Sequence, residues 1–575
     1  MSSTFGCFST ARLGIYAAQK GLDVTGNNIT NINTPGYTRQ RLDQVSLVTT
    51  ASDKYFSQYN TRVGQGVLTT GVSQIRDPGL DLLYRSAQAH VGSYGQMLSG
   101  LDDIASILDE VGKGDGEQDD GVILNQMNDL RDLISQAITS GMDGGTDRLI
   151  YASAKALCRL FNKAANDLTE LKGTYESYLE QDVSRVNTIL TSIQELNVSI
   201  RNADIRGDEA LELRDERNRL LDELSSYVKI DVKYSDENVG AGLVVEKLTV
   251  SLATGDKNTL VDGEYASQLS LGTPTANPNY PGGSDLPYLD ENGQPTDNWE
   301  LAQSTDNPNY GITLQPLRGL DGALADPADY PPPAPTAVNG TNLDDNDLYG
   351  SIQSLREILT EKGEYSTQND VNTVDPDAAI KRGIPYYQMA LDSLAKEFAE
   401  QMNALNTPGA GVSGEGALFS MGSNNNDTTN ITASNISVSQ AWGEGNVTMI
   451  ASQDPNASSG DTSNLAAFLN LFTKKQAFDP KDVAGADAVG AIYNGSFEDM
   501  LLRIESTLAE DQMTTGDVYN NYTLTSNEIY TDRDSVSGVD LNDEATNLMV
   551  YQKAYAAACR LMTTLNTALD SLLAM

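Results

Sequence analysis

The sequence predicts a mixed, mainly α protein with antiparallel coiled-coil terminal helices, a long helical rod domain and β-rich central inserts. Three observations predict it. Apolar residues recur at alternating spacings of three and four at both ends of the 575-residue chain. The same period runs through much of the stretch before residue 230 and returns after 347. Between them the period changes to two, and Pro, Gly, Asn and Asp accumulate.

At the N-terminal end, Phe8, Ala11, Ile15, Ala18, Leu22, Thr25, Ile29 and Ile32 form one seam. At the C-terminal end, Leu541, Ala545, Leu548, Gln552, Tyr555, Cys559, Met562, Asn566, Leu569 and Leu573 form another. The two helices would be ~37 Å and ~50 Å long at 1.5 Å per residue. Neither can bury its stripe alone, so the simplest partner for each is the other, in an antiparallel pair. The alternative for the same pattern is two ordinary amphipathic helices on a globular core. Thr25, Gln552 and Asn566 interrupt the seams, which costs stability and specifies register. A pair this weak is expected to be partly unfolded in the monomer and to order on packing with copies of itself.

Residues 27–41, NNITNINTPGYTRQR, carry Asn27, Asn28, Asn31 and Asn33 on what reads as the end of the first helix. Asparagine is a mediocre helix former. Ile29 and Ile32 continue the seam, and the amides fall on the other faces, exposed in a monomer and suited to neighbouring helices because they both donate and accept. Pro35 and Gly36 then end the helix, since Pro disfavours helix at Thr34 and Gly tolerates positive φ.

Residues 91–235 read as mostly helix, with Val186, Ile189, Ile193, Leu196, Ile200 and Ala203 on one seam. GDEALELRDERNRLLDELSSYV (207–228) reads as a charged amphipathic helix whose charge run is a solvated face. At Val228 alternation by two begins, in Val228, Ile230, Val232 and Tyr234 and again in Leu248, Val250 and Leu252. Residues 272–346 read as loops or a small β-rich insert. Helix returns over 347–362 and 384–406, the latter with Tyr387, Leu391, Leu394, Phe398, Met402 and Leu405 on one stripe. NITASNISVS and NVTMIAS, within 410–460, read as strands; helix resumes near 462–475 and dominates from 496. The chain thus runs out along a rod and returns, with an acidic β-rich portion expected at the far end.

Charge bounds the function. Thirty-eight basic residues face eighty acidic ones, a net of −42. Such a surface repels phosphate, which disfavours nucleic acid and anionic membranes as partners. No run of about 18 apolar residues exists to span a membrane. The three cysteines, Cys7, Cys158 and Cys559, form no CxxC pair and read as small buried hydrophobes. The start lacks the charged and apolar regions of a secretory signal, so export without signal cleavage is expected. The single histidine, His90, has neither a metal-ligand spacing nor a nucleophile elbow around it. GKGDG (112–116) lacks the phosphate-loop spacing, and DENGQPTDNWE (290–300) and DDNDLYG (344–350) match calcium loops only loosely. No cofactor, metal or catalytic residue is assigned, and the chain is read as a non-enzyme.

The stretch GNNITNINTPGYTRQR (26–41) resembles the N-terminal signature of the bacterial flagellar rod, hook and hook-associated axial proteins. LELRDERNRLLDELS (211–225) is similar to a segment of the junction subunits in that family, with Glu212-Leu213 where their pattern has Leu-Asp. Residues 535–573, and LYGSIQSLREIL followed by YYQMALDSLAKEFAEQMNALN, resemble the same subunits. The resemblance covers roughly residues 1–235 and 347–575. It implies a structural subunit at the extracellular hook–filament junction, exported unfolded by the flagellar type III apparatus and self-assembling into a helical tube. It implies hook protein below, a second hook-associated protein above, and an export chaperone on the C-terminal helix. The expected assembly residues are Ile15, Leu22, Asn27, Asn28, Ile29, Asn31, Ile32, Asn33, Pro35, Gly36, Tyr37, Arg39, Leu548, Tyr555, Met562, Leu569 and Leu573.

The expected domains are 1–50 with 535–575 as the inner core; 51–230, 347–409 and 490–534 as the rod; 231–346 as an outer insert; and 410–489 as a second polar segment. Two other readings remain. One is another axial subunit such as the hook protein, which should be mostly strand where this chain reads as helix. The other is a secreted adhesin or hydrolase on a helical stalk.

Overall fold

A computed structural model describes residues 4–47, 66–112, 121–240, 243–271, 310–322, 325, 341–343, 347–373, 377–422, 426–458 and 460–574. Helix α1 (Thr4–Thr30) leads to the hairpin β1 (Gln40–Ser46) and β2 (Val67–Gln74). Helices α2 (Pro78–Gly112) and α3 (Val122–Ser140) then ascend, and α4 (Gly144–Arg206) descends the whole length of the rod. Its 63 residues span about 94 Å. Asp143 caps its start by accepting from the Thr146 N–H at 2.6 Å, and Gly207, at φ +79°, ends it. Buried Ile150, Leu157, Phe161, Leu168, Tyr175, Leu179, Val186, Ile189, Ile193 and Ile200 give it one apolar stripe.

Helix α5 (Leu211–Tyr227) turns back beside the lower part of α4. A sheet follows in the order β3 (Ile230–Gly240), β4 (Leu243–Leu252), β5 (Thr259–Asp262), β6 (Tyr265–Ala266). A second sheet holds β7 (Leu269–Leu271), β8 (Ile312–Leu314) and β9 (Thr341–Leu343); every pairing is antiparallel. These sheets lie on the flank of α4 in its lower half, not at the far end of the rod. Amide side chains explain the docking. Asn187 donates to the Leu269 carbonyl at 2.8 Å, Gln194 to those of Glu264 and Arg318 at 2.8 and 2.7 Å, and Asn197 to that of Gly263 at 2.8 Å.

The return path comprises α6 (Ser351–Thr360), α7 (Gln368–Thr373) and α8 (Ile384–Asn406). Ser351 meets Asp182, and Gln388 meets Thr169, so the path ascends along α4. The far end is capped by β10 (Phe419–Met421), β11 (Ile436–Val438) and α9 (Gln440–Glu444). There Trp442 is buried and donates to the Asp147 carboxylate at 3.2 Å. NVTMIAS forms no strand, because side chains claim its backbone: Met449 N–H donates to Asp147 and Ile450 N–H to Asn406, both at 2.9 Å. Helix α10 (Ser463–Leu471), β12 (Gln476–Phe478), α11 (Lys481–Ala484) and β13 (Tyr493–Gly495) lead to α12 (Phe497–Ser537), which descends against α2. Helix α13 (Leu541–Leu573) continues down against α1. The proline-rich stretch 329–342 lies mostly, and residues 290–300 wholly, outside the described residues.

With 61% of the described residues helical, the hook-protein reading, which needs strand across the rod, loses its basis. One continuous core runs from Leu101 and Ile104 on α2 through α4 and α8 to Phe497 and Leu508 on α12.

Candidate assembly surface and its neck

Helices α1 and α13 lie antiparallel. The seven-residue step from Gly14 to Gly21 matches that from Ala558 to Tyr551: a Cβ built on Gly14 would stand 3.8 Å from the Ala558 Cβ, and one on Gly21 would meet the Tyr551 ring at 2.5 Å. The facing seam on α1 is Ala11, Gly14, Ala18, Gly21, Thr25 and Asn28. It shares Ala11, Ala18 and Thr25 with the seam expected from sequence. The alternate positions move by one residue, so Ile15, Leu22 and Ile29 sit half-buried on its shoulder and Ile32 is exposed. Small residues take the contact because they let the backbones approach. On α13 the same shift brings in Glu544, Tyr551, Ala558 and Leu565 beside Leu548 and Met562, and Leu569 is half-buried. Gln552 and Asn566 face outward, so they do not interrupt this seam.

Both helices leave large apolar side chains uncovered. Tyr16, Leu541, Met549, Val550 and Leu561 are about half exposed, Tyr555 is 38% exposed and Leu573 is 83% exposed. The helices themselves are fully formed; what is incomplete is their outer surface.

Asn27, Asn28 and Asn31 are partnered within the monomer, contrary to the expectation that they face water. Asn28 is 1% exposed. Its Nδ2 donates to the Gln40 carbonyl at 2.9 Å, and its Oδ1 accepts from the Gln40 N–H at 3.0 Å and the Tyr37 hydroxyl at 2.9 Å. One side-chain amide thus stands in for a strand partner of β1. Asn27 donates to Gln40 Oε1 at 3.3 Å, and Asn31 donates back to Asn27 Oδ1 at 2.9 Å. Asn33 and Pro35 are exposed. Gly36 has φ +81°, and the Tyr37 N–H donates to the Thr34 carbonyl at 3.2 Å. Pro at the second position and Gly at the third of this turn fit a type II geometry.

Below this turn the chain is tied to everything around it. The Thr38 N–H donates to Asp215 at 3.1 Å, and the Arg39 N–H donates to the Ser537 carbonyl at 2.8 Å. The Arg39 guanidinium pairs with Glu544, which is 2% exposed, at 2.8 Å and with Asp543 at 3.6 Å. Arg76 pairs with Asp81 and approaches Asp215 at 3.8 Å. Asp222 takes Arg85 at 2.7 Å and Arg533 at 2.6 Å. Gln40 reaches Glu212 at 3.1 Å. The turn, the start of β1, the link from β2 to α2, and α2, α5, α12 and α13 therefore meet in one ionic neck.

Helix α5 supplies four of the neck's polar groups, Glu212, Asp215, Asn218 and Asp222. Its charge run is not a solvated face: Asp215, Arg217 and Asn218 are buried. They tolerate burial because each has partners, Arg217 with Asn197 at 3.1 Å and Glu246 at 2.6 Å. Burial pushes the Asp215 carboxyl above the usual range, against the pull of the Thr38 N–H and Arg76. Burial, then Asp215, Glu212 and Glu544, pushes the Tyr37 hydroxyl up, so it stays a donor.

Gly21, Gln40, Arg76, Arg85, Asp215, Asp222, Arg533, Glu544 and Tyr551 were not among the expected residues. Gly21 and Tyr551 were findable, since their seams also fit three-four spacing; preferring bulky residues hid them. The ionic partners lie up to 505 positions apart in sequence and carry no local signal. Among the described residues no group of three His, Cys, Asp or Glu side chains could hold a metal, and no helix is long and apolar enough to cross a membrane. Cys158 is buried and Cys559 half-buried, whereas Cys7 is exposed.

The family described as flagellar hook-associated protein FlgK helical domain matches residues 116–303. The family of flagellar basal body rod proteins matches 8–38, and that of the basal body rod FlgEFG protein C-terminal region matches 533–575. Flagellar hook-associated protein 1 of Bacillus subtilis (strain 168) is 26% identical over 584 residues, covering 100% of this chain and 98% of that one. Its Salmonella typhimurium namesake is 23% identical over 588 residues, covering 98% of each. The structure of the flagellar hook junction protein FlgK from Burkholderia pseudomallei aligns over 60% of this chain and 47% of that one, at 18% identity and a TM-score of 0.38.

Proposed function

We propose that this chain is a structural component of the hook–filament junction, like flagellar hook-associated protein 1, to which it is similar over its whole length, and that it works by stacking its paired ends, α1 and α13, among those of sister copies. The observation that carries this reading is the uncovered apolar surface of the pair: two formed helices satisfy each other along one seam and leave Tyr16, Met549, Val550 and Leu561 exposed. A soluble chain does not gain by exposing such a row, and burying it against neighbours stabilises by about 25 cal/mol per Å².

Charge supports the same division of labour. Helix α1 carries two bases against one acid, and α13 two bases against three acids, so the pair is net neutral while the chain carries −42. Neutral layers can lie side by side; strongly acidic ones repel. Repeating one heterologous contact between copies builds a helix, not a closed dimer. In this reading the α1–α13 layer forms the inner tube and the α4-based rod the outer wall. Ile15, Leu22, Ile29, Ile32, Asn33, Pro35, Tyr555, Leu569 and Leu573 take the intersubunit contacts, while Leu548 and Met562 hold α13 to α1. Asn27, Asn28, Asn31, Gly36, Tyr37 and Arg39 shape the tube from within each subunit.

The chain assembles with components of the flagellar hook and filament. More finely, hook protein would sit below it and a second hook-associated protein above. An export chaperone would cover the exposed row of α13 before assembly, and the type III apparatus would carry the chain outside the cell. Removing residues after 540 tests the proposal. The rod should keep its cooperative thermal transition, because α12 ends on the neck before the cut, and cells should shed their filaments. Normal filaments on the truncated protein would refute it.

A further inference from the structure

We propose that two contacts set the axial register of α13 on α1: the notch at Gly21 that admits Tyr551, and the buried pair of Arg39 with Glu544. Neither suffices alone. Moving α13 by one heptad, about 10.5 Å, keeps a three-four seam facing α1 in either direction. In one direction Tyr551 comes opposite Asn28, whose amide is already committed to Gln40 and Tyr37. That register fails on volume and on hydrogen bonding. In the other direction Tyr551 comes opposite Gly14, a second glycine, and sterics permit it. That register takes Glu544 away from Arg39 and sets it against Gly21, where the seam offers no charge. A buried carboxylate without its partner is strongly disfavoured.

The steric notch therefore rejects one slip and the ion pair the other. Arg39 is itself held, since its N–H donates to the last turn of α12 at Ser537. The register of the pair is thus measured from the neck, the same point from which the rod departs. Every copy would then present its exposed row at the same height, which a contact repeated around a tube requires. That consequence rests on the junction reading; the register itself does not.

A disulfide reporter reads the register in the full-length monomer. A Cβ on Gly14 stands 3.8 Å from the Ala558 Cβ, a disulfide's own spacing. Gly14→Cys with Ala558→Cys, in a chain with Cys7→Ser and Cys559→Ser, should bridge in glutathione buffer. Adding Gly21→Leu should lower the effective concentration of the bridge about tenfold or more, from overpacking, and Tyr551→Ala should restore it. Adding Arg39→Ala should lower it likewise, and Glu544→Ala should restore most of it. Parental bridging in both the Gly21→Leu and Arg39→Ala chains overturns the proposal. So does a loss that neither compensating change repairs. Since the bridge is read without assembly, a normal register in a chain that builds no tube would count against the junction reading and leave the lock standing.

Discussion

His90 shows how much a single residue's surroundings decide. It lies on α2 and faces α12 and the residues around the start of β3, its ring stacked on Tyr522 at 4.3 Å. Its Nδ1 is 2.7 Å from the Tyr349 hydroxyl and its Nε2 is 3.5 Å from Lys229 Nζ. Tyr94 stacks on the same Tyr522. Burial, then the Lys229 charge, holds the imidazole below its ordinary value. A base whose folded value is depressed binds its proton more readily in the unfolded chain. Its contribution to stability is present above the ordinary imidazole value of about 6.5 and is lost as pH falls through the depressed one. Scanning calorimetry from neutral pH downward should show the parent losing stability, below about pH 6.5, relative to His90→Phe, which keeps the stack. No other histidine exists to confuse the comparison. Parallel curves would mean that the fold leaves the proton affinity of the ring where it stands in the unfolded chain.

At the level of elements, the joint between α1 and β1 depends on Asn28. A two-stranded hairpin is marginal in water, and this one is fixed because a helix side chain completes the hydrogen bonding of Gln40. Asn28→Ala should cost about 2 kcal/mol or more, since it strands a buried N–H and a buried carbonyl. Native-state hydrogen exchange at the Gln40 amide should quicken about thirtyfold if local opening controls it. Unchanged protection there would show that α1 does not hold the hairpin. The helix-to-helix joints divide differently. Helices α4 and α8 follow their apolar stripes, with buried Tyr387, Leu391, Leu394, Phe398 and Met402 on α8 where the spacing puts them. Helix α5 buries Leu220, Leu221 and Leu224 in the core and joins through charges as well, because neighbouring elements supply partners for Asp215, Arg217 and Asp222.

For the whole molecule, the uneven charge distribution governs association. Copies brought together at their neutral ends also bring together bodies that carry the net −42. Raising salt from 0.01 to 0.15 M shortens the screening length from about 30 to about 8 Å. Self-association followed by sedimentation should therefore strengthen with salt over that range, and Met549→Ser with Val550→Ser should weaken it at every salt concentration. Association that weakens with salt would point to intersubunit ion pairs as the main contact.

The sequence by itself determined the helical rod, the pairing of its two ends, the turn at Pro35-Gly36 and the resemblance to the axial proteins. Each of these rests on local periods or short motifs, and a repeat of three and four residues is fixed by helix geometry wherever the helix lies. Only the tertiary structure decided which of two adjacent stripes faces inward on α1, because Gly14 and Gly21 matter only once α13 is close enough to touch them. It also placed the sheets on the flank of α4, gave Asn27, Asn28 and Asn31 their partners and gathered the neck. Those outcomes depend on charges and amides meeting across hundreds of residues. A carboxylate such as Asp215 reads as a surface group until Thr38 and Arg76 are brought to it.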